Sequence, residues 1–194
     1  MTLTVTVVGT GRIGTTLARR FRDAGMGVTL AGREPRSGGL DGMPVRRTGE
    51  ALSGADAVVT AIPGAAMGTF LTENAPALAD TPLIDASNNV AASVMHHAAE
   101  AEAAGVTYYR AFNTIGVENL ADPQFDGITA DLFFSGPERK RDVVETLIGA
   151  TGLRPVWVGE GSGAADLLDG LTRLWFTLAV NQGRGRHLAF RMLP

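Results

Sequence analysis

The sequence predicts an α/β fold: a doubly wound, mainly parallel sheet with helices on both faces and a helical tail at the C-terminal end. Three observations predict it. Strand-like apolar runs alternate with helical patterns from one end of the 194 residues to the other, the pattern left by repeated strand–helix–strand crossovers. A glycine-rich loop, "GTGRIG" from Gly9 to Gly14, sits between the first strand-like run and the first helical one. No repeat, low-complexity tract or linker divides the chain, so residues 1–194 read as a single domain.

Strands are expected at "LTVTVVG" (3–9), "GVTLAG" (27–32), "PVRRT" (44–48), "AVVTAI" (57–62), "PLIDAS" (82–87) and "TYYRAF" (107–112), each a short run with apolar residues. Small and apolar residues recur at helical spacing over 12–24, 64–79, 90–104 and 137–150. Two further strands, "LFFSG" (132–136) and "PVWVG" (155–159), precede a tail in which Leu167, Leu168, Leu171, Leu174, Trp175 and Leu178 fall on one helical stripe. That stripe is expected either to pack onto the sheet or to be shared with a second subunit, and both can hold, because the opposite face is also apolar at Phe176, Leu178, Ala179 and Val180; the tail over 164–194 is thus a candidate homodimer surface.

Composition narrows the function classes. Seventeen basic residues against twenty acidic ones give a net charge of −3, and the arginines are scattered, so neither nucleic acid nor a membrane surface is an expected partner. With no cysteine and three histidines, disulfides and thiolate zinc are excluded and no metal is expected. The N-terminus enters an alternating apolar stretch without the basic flank of a signal peptide, and no span is long enough for a membrane; the expected location is cytoplasmic.

The loop carries the chemistry. Between a strand and a helix, Gly9 permits the tight turn, Gly11 lets the backbone approach a pyrophosphate, and Gly14 lets the helix pack on the strand. The free N–H groups of the helix N-terminus then face the phosphates. An NAD-binding chain places a carboxylate at the end of the second strand to hold the ribose 2′-OH. Here "TLAGREPRS" offers Leu30, Ala31 and Gly32, followed by Arg33 and Arg36 around the single Glu34. A planar guanidinium suits a 2′-phosphate, Gly32 leaves room for it, and Arg12 can supply a further cation. The expected cofactor is NADP(H); Glu34, the alternative ribose carboxylate in a later register, sits beyond the strand end, precedes Pro35 and is flanked by two arginines that would neutralise it.

"AIPG" ends the fourth strand with a proline that turns the backbone away at the carboxyl edge, where ligands of such sheets lie. Ala61, Ile62 and Pro63 are expected against the ribose and nicotinamide. Asn113, in "RAFNTIG" after the sixth strand, is suited either to an amide contact with the nicotinamide or to a turn. Asn88 and Asn89 tilt toward a turn. His96 and His97 are expected on a surface or half-buried helix, and neither Tyr108 nor Tyr109 is a strong proton donor. No acid–base dyad emerges, so no catalytic residue is assigned.

With "VVGTGRIG", "GREPR", "ADAVVTAIP", "RAFNTIG", "LFFSG", "GLRPVWVG" and "GRGRHLAFRML", the chain resembles the NADPH-dependent 8-hydroxy-5-deazaflavin (F-420 type) reductases and the wider group of dinucleotide-binding oxidoreductases around them. The resemblance implies a Rossmann-type fold and hydride exchange between nicotinamide C4 and a deazaflavin co-substrate. It implies Thr10, Arg12 and Ile13 at the pyrophosphate and Gly32, Arg33 and Arg36 at the 2′-phosphate, with Ala61 to Pro63 at the nicotinamide. The short "SGGLDGMP", Gly64 after Pro63 and "DASNN" depart from those reductases. Two other readings remain at this point: reduction of a flavin, imine or carbonyl substrate, and an NADPH-sensing module without turnover.

Overall fold

The computed structural model describes residues 2–193. Seven strands form one sheet: β1 (Thr4–Val8), β2 (Gly27–Gly32), β3 (Arg36–Leu40), β4 (Met43–Arg47), β5 (Ala57–Thr60), β6 (Leu83–Asp85) and β7 (Tyr108–Arg110). Their order is β3-β4-β2-β1-β5-β6-β7. Every neighbouring pair is parallel except β3 with β4. The strand order reverses direction beside β1, which puts the glycine loop at the switch point where a doubly wound sheet opens a crevice.

Alternation along the strands separates two apolar layers. Val5, Val7, Leu30, Val59 and Ile84 point to the layer that holds Leu17 and Phe21 of helix α1 (Arg12–Asp23). Val8, Ala31, Val58 and Leu83 point to the other, with Leu52 just beyond α2 (Thr48–Ala51) and Met67 and Leu71 of α3 (Met67–Asn74). Burial on both faces is what makes these strands read as nearly continuous apolar runs.

Three expected helices take a different form. The 64–79 run breaks into a 3₁₀ turn, α3 and a second 3₁₀ turn over Ala75–Leu78, where Pro76 sits. The 90–104 run is helical only as α4 (Ala98–Ala103), because the Asp169 carboxylate takes the backbone N–H groups of Met95 (2.7 Å) and His96 (3.1 Å). The 137–150 helix begins at Arg141, as α6 (Arg141–Ala150). Before it, α5 (Val117–Ala121) and a two-residue-stranded hairpin of β8 (Gln124–Phe125) and β9 (Ile128–Thr129) fill a stretch that sequence patterning left unassigned.

β10 (Asp131–Phe134) and β11 (Arg154–Trp157) form a parallel pair that continues the sheet through an antiparallel bridge between Ser135 and Arg110. Helix α7 (Gly161–Phe176) follows, prolonged by a π-helical turn over Thr177–Asn181. Its leucine stripe divides: Leu168 and Trp175 are buried, whereas Leu167 and Leu174 are 65% and 46% exposed. The segment beyond Asn181 returns over its own chain, where the Leu188 carbonyl accepts bonds from Trp175 Nε1 (2.8 Å) and Asn119 Nδ2 (2.6 Å). No helix among the described residues is long and apolar enough to cross a membrane.

Candidate functional site: a dinucleotide cleft

The backbone builds the glycine loop before any side chain takes part. Gly9 N–H donates to Ala31 O (2.9 Å) and Ala61 N–H to Val8 O (2.8 Å), which locks the ends of β1, β2 and β5 together. Gly9 lies at φ +119°, and a Cβ there would collide with the Ala61 carbonyl; one at Gly14 would collide with the Gly9 carbonyl. At Gly11, by contrast, a Cβ would meet no protein atom within 4 Å. Two glycines are therefore demanded by the fold, and the third leaves open space at the N-terminus of α1. That terminus has no side-chain cap and no acidic residue in its first turn, so its amides remain available to an anion.

In front of the loop lies a cleft of about 750 Å³. Gly9, Thr10 and Gly11 form its floor, Gly32 and Arg33 one side, and Ala61, Ile62 and Pro63 the other. Sequence reading had not identified the remaining wall, in which Thr48 and Gly49 of α2 and Thr69, Phe70, Glu73 and Asn74 of α3 take part. Its signal was the helical face of α3, indistinguishable in sequence from a face packed on the sheet.

A smaller recess of about 400 Å³ opens off the cleft, lined by Thr10, Gly32, Arg33, Glu34 and Arg36. Among the described residues neither Arg33 nor Arg36 forms an ion pair. Glu34 does, but not with the arginines beside it in sequence: Arg47 Nη2, from the end of β4, lies 3.1 Å from Glu34 Oε2. β4 runs parallel to β2 with Arg47 opposite Gly32, and that register delivers the guanidinium. Arg36 also belongs to an unexpected element, the β3–β4 hairpin, which turns at Asp41 and Gly42 with φ of 51° and 75°. Asp-Gly between two strands is a hairpin signal, masked here by the glycines at 38 and 39.

Three residues expected at the cofactor point their side chains away from the cleft, although the backbone amides of Arg12 and Ile13 still form the uncapped N-terminus of α1. Arg12 is mostly exposed and points to Glu118 (3.7 Å) of α5 instead of the cleft. Ile13 packs its side chain against the core below α1. Asn113 is buried, donating from Nδ2 to Thr172 Oγ1 of α7 (3.0 Å) while its backbone carbonyl accepts from Asn88 Nδ2 (2.9 Å). For Ile13 and Asn113 a tertiary partner claims a side chain that local sequence left free. Gly64, a departure from the resemblance, has the opposite explanation: a Cβ there would run into the backbone of Asn88 and Asn89, so a larger side chain has no room.

Sequence reasoning also missed a buried polar cluster at the carboxyl ends of β6 and β7. Arg110, fully buried, donates to Asp85 Oδ2 (3.3 Å), Asn88 Oδ1 (2.8 Å), Asp169 Oδ1 (3.0 Å) and the Ser87 carbonyl. Tyr108 OH donates to Asp85 Oδ2 (2.7 Å); burial and that carboxylate push the phenol well above its ordinary value. His96 and His97 lie in the loop before α4 and are buried, correcting the expectation of surface or half-buried helix positions. His96 Nε2 meets Asp166 Oδ1 at 3.1 Å and its Nδ1 accepts from Ala98 N–H. His97 Nδ1 stands 3.7 Å from Asp85, too far for a hydrogen bond. None of these groups lines the cleft.

With the loop, the cleft and the cationic recess in place, comparison with known proteins becomes informative. Residues 4–89 match the family described as NADP oxidoreductase, coenzyme F420-dependent. The match spans the glycine loop, the recess and the β5 turn, and agrees over those residues with the resemblance read from the sequence. Among solved structures, a candidate F420-dependent NADP reductase from Arthrobacter sp. FB24 superposes with a TM-score of 0.82 at 22% identity, covering 98% of this chain and 99% of its own. A hypothetical protein from Sinorhizobium meliloti gives 0.63 at 27% identity, over 82% and 86% of the two chains. A reductive aminase from Aspergillus terreus, solved with NADPH, gives 0.73 at 21% identity; 94% of this chain is covered but only 64% of the aminase. These likenesses establish the Rossmann-type fold. None of the curated proteins matches the chain in sequence.

Proposed function

We propose that this protein is an NADP(H)-dependent oxidoreductase that exchanges hydride with a deazaflavin coenzyme at the carboxyl edge of the sheet. The observation that carries the cofactor choice is the recess: two cations without ion pairs among the described residues, Arg33 and Arg36, beside a glycine where an NAD-type site needs its carboxylate. The deazaflavin rests on the family match over residues 4–89.

The residues present fit the dinucleotide. The uncapped amides of α1 and the open side of Gly11 would take the pyrophosphate, Arg33 and Arg36 the 2′-phosphate, and Ala61 to Pro63 the ribose and nicotinamide. When bound, the coenzyme supplies the hydride. The protein's share is to hold that end of the cleft in fixed geometry and shield it from water. Transfer between two rings requires no acid–base dyad from the protein, and Glu73 is the one carboxylate among the cleft's lining residues.

A second reading, reduction of a small imine or carbonyl, is favoured by the shared fold with imine reductases and a hydroxyisobutyrate dehydrogenase. It needs a proton donor beside the acceptor, and Tyr108, the nearest candidate by type, is committed to Asp85. The deciding experiment is anaerobic stopped-flow mixing of the protein and NADPH with the purified deazaflavin, FAD or FMN. Rapid bleaching of the deazaflavin alone is the expected result. Tight NADPH binding without transfer to any of the three would overturn the deazaflavin assignment and favour a small substrate or a sensor.

A further inference from the structure

Glu34 is the residue that most resembles an NAD-type carboxylate in this chain, and its ion pair with Arg47 suggests how the site disposes of it. We propose that Arg47 is a specificity residue for the dinucleotide: by pairing with Glu34 it compensates the carboxylate and so leaves Arg33 and Arg36 free for a 2′-phosphate. The inference rests on the NADP(H) reading above and extends it to a residue outside the cleft's and the recess's linings.

Three facts carry it. Glu34 lines the same recess as Arg33 and Arg36, so an uncompensated charge there would repel the phosphate or draw one of those cations to itself. Arg47 reaches Glu34 at 3.1 Å across the β2–β4 register, which sets Arg47 opposite Gly32. Arg47 is anchored at the strand–helix junction, as N-cap of α2, where Thr48 Oγ1 bonds the Gly32 carbonyl (3.3 Å). The junction is thus tied to the end of β2 from which the recess opens. Both partners are largely exposed, at 58% and 76% of their side-chain surface, so the pair adds little to folding. Its consequence is local charge at the recess.

The experiment is a fluorescence titration of the full chain with NADPH and with NADH, which needs no hydride acceptor. Arg47→Ala is expected to lower the preference for NADPH over NADH by about fivefold, the scale of one exposed ion pair. Adding Glu34→Gln to Arg47→Ala is expected to restore the preference, because no carboxylate then needs compensation. An unchanged preference in Arg47→Ala would overturn the inference. So would a double variant as impaired as Arg47→Ala alone, since Arg47 would then act directly on the phosphate. If the unaltered protein binds neither dinucleotide, the proposed function itself fails, a result distinct from both.

Discussion

Asp85 and Arg110 end two adjacent parallel strands in register and face each other as a fully buried ion pair, 3.3 Å apart. The pair does not line the cleft, but a chain of contacts connects it to the turn that does. Arg110 also holds Asn88 and the Ser87 carbonyl, and the Asn88–Asn89 backbone is the surface on which Gly64, next to Pro63, is packed. Asp169 completes the arrangement by binding Arg110 with one oxygen and the backbone of Met95 and His96 with the other.

Removing one member of such a cluster strands charge in the interior. Arg110→Met is expected to cost roughly 3–5 kcal/mol of stability, read as a lower urea midpoint. A loss well under 1 kcal/mol would mean that water reaches Asp85 in solution.

Acid should find the same site. Burial by itself raises the Asp85 carboxyl, but the Arg110 guanidinium, with hydrogen bonds from Ser87 and Tyr108, outweighs it and holds the group below its ordinary value of 3.8. A carboxyl depressed by folding contributes stability above its unfolded value and loses it as pH falls through the folded one. Wild-type stability relative to Asp85→Asn should therefore be constant near neutrality and shrink below about pH 3.8. Urea midpoints measured across that range give the difference curve, and a flat curve would contradict the assignment.

The glycines of the loop should separate folding from binding. Gly14→Ala forces a Cβ into the Gly9 carbonyl and is expected to cost about 1–3 kcal/mol. Gly11→Ala meets no protein atom within 4 Å, so its melting temperature should stay near wild type while NADPH binding falls at least tenfold, by obstruction of the pyrophosphate. Calorimetry of both variants, with and without NADPH, tests the contrast.

Arg33→Ala should weaken NADPH by at least tenfold, the scale of a lost charge-assisted contact, and NADH far less, since only NADPH carries the 2′-phosphate. Equal losses for both dinucleotides would place Arg33 against adenine instead of phosphate.

For the expected homodimer, the outward face of α7 is the surface to test. Leu167 and Leu174 are 65% and 46% exposed, with Val90 and Val94 also uncovered. The double variant Leu167→Glu/Leu174→Glu should sediment as a monomer under conditions where the unaltered chain is a dimer. A persistent dimer would move the interface elsewhere.

How far the sequence spoke differs from element to element. β2 was legible to the residue, because its span is bounded by glycine at both ends and its apolar run is buried on both faces. Gly9, Gly11 and Gly14 were legible because a tight turn, an open approach and a close helix contact each exclude a side chain. The helix expected over 90–104 was misread, since Asp169, more than seventy residues away, captures its N–H groups. The Asn113 amide was misplaced for the same reason: Thr172 claims it, and nothing local announces that partner.

By itself, then, the sequence determined the doubly wound fold, the phosphate loop and the absence of a carboxylate from the last residues of β2, all of which follow from short-range patterns. The tertiary structure decided where the charges go. It gave Glu34 to Arg47, Arg110 to Asp85 and Asp169, and left Arg33 and Arg36 without an ion pair among the described residues. Charge pairing depends on strand register and on chain crossings of thirteen to fifty-nine residues, distances over which residue order carries no direct signal.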